Sequence, residues 1–339
     1  MNNNENATFI IPNYWRSFQN FEKYFPLTLQ GIFNQTDKKW HIIIIDDFSP
    51  DQEVRKYLKK LTNKFPDKIT VVLKDKNDGA GVCRNIGIGI AHKNNSPFIL
   101  FNDADDISHC KRLETVRKVF NKESDIDLVY STFNVIDEEN NSVPLSKLAP
   151  TIMEEIESHN NNPPQGENAW IEIGTTKGYS NLTSSTSVRT ELAIRFPFPA
   201  ERVSEDSHTW MRYSAGGRKF YYTPNIPTLY RIPQNVHGSS SWSREGGKHY
   251  FLQKKAEVDT EGFKEALKIA LSKSQIHNID ADNLLLRFYI RLAETFAKEA
   301  ENDLVIFQIN NAYQISKEEA VKIMEKNYWL KNYLGSAEK

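Results

Sequence analysis

An α/β fold, with a mostly parallel sheet flanked by helices and an all-helical C-terminal extension, is what the order of the residues predicts. Two observations carry it. Over roughly the first 135 residues, short β-branched or aromatic runs alternate with longer segments of helical spacing. Beyond Tyr250 the strand signal stops and helical spacing continues. Strands that are apolar along their whole length, separated by helices, belong to a parallel sheet covered on both faces.

The strands expected in the first half are residues 8–11, 41–45, 69–73, 98–101 and 127–132. Helices are expected between them. Residues 21–33 place Phe25, Leu29, Ile32 and Phe33 on one stripe; residues 52–65 place Val54, Leu58, Leu61 and Phe65 opposite lysines. Residues 79–92 and 111–120 complete the series. The middle is less regular. Residues 163–166 read as a turn, 169–173 and 185–188 as strands, 204–213 as a short helix ended by Gly216 and Gly217, and 219–223 as a strand. Residues 234–247 have the composition of a loop. In the extension, Leu284, Leu285, Phe288, Leu292 and Phe296 form an apolar stripe. Packing on the chain's own domain is the expected use of that stripe, ahead of a partner subunit or a membrane surface.

The 339 residues carry 43 Lys+Arg against 44 Asp+Glu, a formal net charge of −1. That balance lacks the basic excess of phosphate-backbone binders, so nucleic acid is not an expected partner. Mean hydropathy is −0.58. The longest aliphatic run, residues 42–45, is far below the roughly twenty apolar residues a membrane helix needs, so no transmembrane segment is expected. Residues 1–6 lack the profile of a signal peptide. Cys83 and Cys110 are too few and too widely spaced for a zinc site or a disulfide framework. A cytoplasmic location is therefore expected, with the C-terminal helices as the segment for homo-oligomer formation or peripheral contact with the inner face of the cell membrane.

Ligands of open α/β sheets bind beyond the carboxyl ends of the strands. The first strand there delivers Pro12, Asn13 and Tyr14, the second Asp46 and Asp47, and the fourth Asn102, Asp103, Asp105 and Asp106. Clustered carboxylates repel each other and need a counter-ion. A hard divalent cation, Mg²⁺ or Mn²⁺, completed by phosphate oxygens supplies one. The expectation is a nucleotide-diphosphate site. Ser204, Glu205 and Asp206 stand at a helix start, where carboxylates also gain from the helix dipole.

In order, the strings F-I-I-P-N-Y, I-I-I-I-D-D-F-S-P-D, N-D-G-A-G-V-C-R-N-I-G, F-N-D-A-D-D and S-E-D run from Thr8 towards Arg231. Together they resemble the family 2 glycosyltransferases of GT-A (Rossmann-like) fold. The resemblance implies inverting transfer of one sugar from a nucleotide-diphosphate sugar, with a UDP-sugar favoured, to a hydroxyl of a glycan or other acceptor. It implies a catalytic domain over residues 1–245, with a nucleotide-sugar half to about 135 and an acceptor half from about 136, followed by a helical extension over 246–339. It places Pro12 and Tyr14 near the nucleotide base, Asp47 as an acceptor from the base, and Arg84 near the nucleotide. Asp103 and Asp105 match D-x-D, with Asp105 on the metal and Asp103 near ribose or metal. Asp206 matches the general base. His237 is a further metal candidate, and Glu205, Trp210, Arg231 and Trp242 are candidates for the acceptor side.

Each residue has a plainer reading. Asp46 and Asp47 suit a turn into a helix that Ser49 could cap, Glu205 and Asp206 suit ordinary first-turn acids, and Trp170, Trp210 and Trp242 suit packing. Asp103, Asp105 and Asp106 have the weakest plain reading, because three carboxylates at one strand end are costly without compensation. Phe48 replaces the family's usual glycine, which argues against a positive φ there. Two other functions remain in contention. A sugar-nucleotide nucleotidyltransferase would want a glycine-rich basic loop after the first strand, which residues 12–18 lack. A silent sugar-nucleotide-binding or scaffold protein is disfavoured by the intact D-A-D and E-D strings.

Overall fold

A computed structural model describes residues 5–178, 181–234 and 246–335. The expected first-half strands are all present: β1 (Ala7–Asn13), β2 (Trp40–Asp46), β3 (Ile69–Leu73), β4 (Phe98–Phe101) and β5 (Ile126–Ile136). Between them lie α1 (Phe18–Phe33), α2 (Gln52–Lys64), α3 (Ala80–Lys93) and α4 (Arg112–Lys122). The second half adds α5 (Pro150–Asn161), β6 (Gly166–Glu167), α6 (Ala169–Glu172), β7 (Thr186–Arg189), α7 (Thr190–Arg195), α8 (Glu205–Gly216) and β8 (Lys219–Arg231). The extension is α9 (Lys248–Ser272), α10 (Asn278–Lys298) and α11 (Asn302–Glu325).

The strands form one sheet in the order β3-β2-β1-β4-β7-β5-β8-β6. β1 pairs in parallel with β2 and β4, β2 with β3, and β5 with β8, while β7 and β6 run against their neighbours. Alternation along β1 and β2 fills both faces. Phe9, Ile11, Ile42 and Ile44 join the core under α1, α2 and α4. Ile10, Ile43 and Ile45 join a second core that runs continuously into α8 and the extension. Within it, Phe263 of α9 stacks on Phe288 of α10 with centroids 4.3 Å apart. The predicted stripe packs on the chain itself: Phe288, Leu292 and Phe296 are buried, and Leu284 and Leu285 lie against them.

Four expectations are corrected. Residues 169–173 are helical rather than extended, because Ala169, Trp170 and Ile173 bury at i, i+1 and i+4, and both periods fit A-W-I-E-I. Residues 150–161, read as no element, form α5. β8 continues eight residues past 223; Pro224 and Pro227 hide it, and its register against β5 shifts between Ser131 and Phe133. Finally, Phe48 has φ +62°, so the turn keeps the left-handed conformation that glycine would adopt freely. The Phe48 ring is largely exposed with the Arg55 guanidinium 5.5 Å from its centroid.

Candidate active site

The site is assembled by the carboxyl ends of β1, β2 and β4, the segment before β7, and the first turn of α8. At β1, Asn13 is buried; its Nδ2 donates to Asp46 Oδ1 (2.9 Å) and its Oδ1 accepts from Trp15 Nε1 (2.9 Å). Asp46 is further held by the Ser49 hydroxyl (2.6 Å) and Arg55 Nη1 (3.1 Å). The cap of α2 is Asp51, which accepts from the Glu53 amide, and not Ser49. The first aspartate of the pair is thus a tie between β1, β2 and α2. Tyr14, the next residue along β1's exit, is 41% exposed and offers a ring at the rim.

Asp47 is buried, and its carboxylate already accepts three donors: Lys74 Nζ (2.5 Å), the Asp78 amide (2.9 Å) and the Gly79 amide (2.8 Å). A carboxylate has about four acceptor positions. The Cys83 thiol also lies against this carboxylate, so Asp47 is well satisfied within the chain. Gly79 at φ +95° lets the chain bend so that its amide reaches Asp47 as α3 begins.

Arg84, on α3, is buried and joins two distant parts of the sequence. Nη2 donates to Asp103 Oδ1 (2.9 Å) and Nη1 to Glu205 Oε1 (2.7 Å). Burial works against the guanidinium charge, but Asp103 and Glu205 outweigh it and hold the pKa above its usual value. Burial and the adjacent Asp206 push the Glu205 carboxyl up, with Arg84 opposing. Glu205 therefore anchors the α8 terminus to the donor half, and faces Arg84 instead of an acceptor.

At the end of β4, the Asp103 amide donates to the Ser184 hydroxyl (2.9 Å). Asp106 is fully buried and accepts from the Arg231 amide (2.9 Å), with its Oδ2 unpartnered. Burial, then Asp105 and Asp103, raise its pKa well above the carboxylate range. Burial is the larger cause, and the neighbouring carboxylates add to it. Asp103 and Asp105 carry oxygen donors of the kind a hard divalent cation takes, and such a cation would offset the charge of these carboxylates.

Asp206 sits in the first turn of α8; its Oδ1 accepts from the Ser207 amide (2.8 Å) and its Oδ2 lies 3.4 Å from the Thr183 hydroxyl. Glu155 of α5 is buried with Oε1 unpartnered. Burial, then Asp206, push its carboxyl well up. Thr183, Ser184, Lys74 and Glu155 carry no sequence signal: hydroxyls before a strand and an acid in an unread helix are ordinary residues until the fold brings them together.

Two acceptor-side candidates are placed elsewhere. Trp210 is buried in the core, with Nε1 donating to the Asn181 carbonyl (3.0 Å), which leaves no ring face for a sugar. Arg231 is buried and spends its guanidinium on the Asp105 and Asp137 carbonyls and Asn140 Oδ1. Trp170 is also core. His237 and Trp242 lie outside the described residues. Among the described residues, the one group of three His, Cys or carboxylate donors within 4.8 Å of one another is His208, Glu261 and Glu265, between α8 and α9. Arg212 Nε already occupies Glu265 at 3.3 Å, so it reads as an ion pair. A groove of about 720 Å³ borders the same glutamates between α9, α10 and α11, in the extension and not at the strand ends.

Comparisons with known proteins bear on the family and the fold. A family model described as glycosyl transferase family 2 matches residues 8–181, just over half of the chain. An uncharacterised glycosyltransferase of Methanocaldococcus jannaschii is 28% identical over 214 residues, covering 62% of this chain and 67% of its own length. Among solved structures, residues 1–349 of S. aureus TarS in complex with UDP superpose with a TM-score of 0.62 at 18% identity, covering 98% of this chain and 87% of that one. The mannosyltransferase PcManGT of Pyrobaculum calidifontis, in complex with GDP-Man and Mn²⁺, gives 0.51 at 15% identity over 88% and 85%. The GT-A architecture is shared with both. With the fold, the ordered strand-end aspartates and the family match in agreement, the chain belongs to glycosyl transferase family 2.

Proposed function

We propose that this glycosyltransferase inverts configuration as it moves one sugar from a nucleotide-diphosphate sugar, with UDP favoured as the nucleotide, to a hydroxyl of a glycan, lipid-linked or small-molecule acceptor. We take residues 1–245 as the catalytic unit and 246–339 as the helical extension. The observation that carries the reading is the Arg84 bridge. One buried guanidinium ties Asp103, on the donor side, to Glu205, beside the base candidate Asp206. The Arg84–Glu205 contact, 121 residues apart in sequence, thereby fixes donor carboxylates and base relative to each other.

Tyr14 and Pro12 border the nucleotide base, and Asp47 accepts from it. Asp103 and Asp105 would hold Mg²⁺ or Mn²⁺, which when bound neutralises the diphosphate. Asp206 takes the proton from the acceptor hydroxyl as that oxygen bonds to the anomeric carbon; the bond to the diphosphate breaks on the opposite face and its electron pair leaves with the nucleotide. One displacement inverts the centre. UDP is favoured because one ring and one carboxylate suffice for uracil, and TarS is solved with UDP and with UDP-GlcNAc.

The test is Asp206→Asn. It is expected to lower turnover by about 10²–10⁴-fold while nucleotide binding stays within about twofold of wild type. Near wild-type turnover would remove Asp206 from the role.

A further inference from the structure

We propose that Asp259, in the helical extension, is a positioning residue for the transfer reaction: through the Ser204 hydroxyl it sets the backbone from which Glu205 and Asp206 enter α8. The inference rests on Asp206 being the base.

Ser204 has φ +60° and ψ +20°, a left-handed conformation that is strained for a non-glycine residue. Something must hold it there. A serine preceding a helix usually turns its hydroxyl onto an amide of the first turn. Here it makes no such cap and donates instead to Asp259 Oδ1 at 2.5 Å, from a helix 55 residues away in sequence. Asp259 is 5% exposed, and the second carboxylate oxygen is occupied by Lys255 Nζ at 2.5 Å, one turn earlier on α9. Lys255 also comes within 3.4 Å of the Ser204 oxygen. A buried carboxylate with no such partners would not be tolerated.

A second contact lies one turn beyond the acids. Gly262 lets α9 rest directly on α8: a Cβ there would stand 2.7 Å from His208 Cα. The extension thus grips α8 at Ser204 and at His208, on both sides of Glu205 and Asp206, while Arg84 holds Glu205 from the donor half. The base turn is clamped between the two parts of the chain, and Asp259 supplies the polar half of the grip.

The experiment uses the full chain with Asp259→Ala, Asp259→Asn, Ser204→Ala and the double alanine variant. Two quantities are read: amide hydrogen exchange of the segment holding residues 204–208, and Mn²⁺-dependent release of nucleotide from UDP-GlcNAc, UDP-glucose and GDP-mannose with water as acceptor. Asp259→Ala is expected to speed exchange in that segment and to lower kcat by about 10–100-fold, with donor KM within about twofold, since small misplacements of a reacting group cost this much. Ser204→Ala should match it, and the double variant should be no worse than either, because one hydrogen bond carries both effects. Asp259→Asn keeps an acceptor oxygen for Ser204, should recover most of kcat, and guards against a variant that merely fails to fold. A lowered melting temperature with unchanged exchange at 204–208 would overturn the proposal, as would additive losses in the double variant. Failure of the base assignment appears separately, as Asp206→Asn turnover near wild type with the Asp259 exchange effect intact.

Discussion

Glu155 is a residue whose chemistry is set by its surroundings. It is buried and one oxygen lacks a partner, and burial with Asp206 nearby keeps its proton on well above the ordinary value of 4.5. The folded protein then binds one more proton than the unfolded chain between the ordinary carboxyl pKa and the raised one. Stability falls as pH rises through that window. Glu155→Gln removes the titration while keeping the shape, so the variant should gain stability relative to wild type as pH increases above about 4.5, and show no relative gain below it. Urea unfolding at several pH values reads the difference, and a pH-independent offset would show that Glu155 is ionised in the fold. None of this was legible in the sequence, where Glu155 is one of two adjacent acids in an unremarked stretch. Asp103, Asp105 and Asp206 were legible, because a strand end and a helix start can be read locally. Arg84 was singled out by the family resemblance, yet its two partners, Asp103 and Glu205, come from a fold that no local pattern describes.

At the scale of elements, the parallel first half followed its apolar runs closely, and one error fell where two periods fit the same residues. A-W-I-E-I satisfies both a strand and a helical turn, and burial decided for the helix. Phe48 shows the opposite limit: the turn's need for a positive φ outweighed the residue's own preference. Helix packing is testable through two glycines. In a helix interior, Gly→Ala ordinarily stabilises by about 1 kcal/mol. Gly89 of α3 has open space where a Cβ would go, and Gly89→Ala should gain roughly 0.5–1 kcal/mol. At Gly262 the same methyl meets His208 backbone, and overpacking of about 1–3 kcal/mol outweighs the propensity gain, so Gly262→Ala should destabilise. Chemical denaturation of the two variants gives opposite signs if α9 sits on α8 as described, and the same sign if it does not.

Over the whole molecule, the helical extension is the part whose meaning changed most between sequence and structure. Its stripe predicted packing on the chain's own domain ahead of a partner subunit or membrane; its apolar core proves continuous with one face of the sheet, and its polar residues reach the turn that bears Asp206. No helix among the described residues is long and apolar enough to cross a membrane. The near-zero net charge conceals an uneven distribution, with carboxylates massed at the strand ends and Arg84 pairing Asp103 there with Glu205 of α8. That massing is the basis of the central claim, a nucleotide-diphosphate donor held with a divalent cation at Asp103 and Asp105. The most direct measurement is the melting temperature of wild type and Asp105→Ala with UDP, GDP, CDP and dTDP, each with and without Mn²⁺. A metal-dependent rise in wild type, largest with UDP and abolished in Asp105→Ala, is the expected result; no metal-dependent rise with any of the four nucleotides would contradict it.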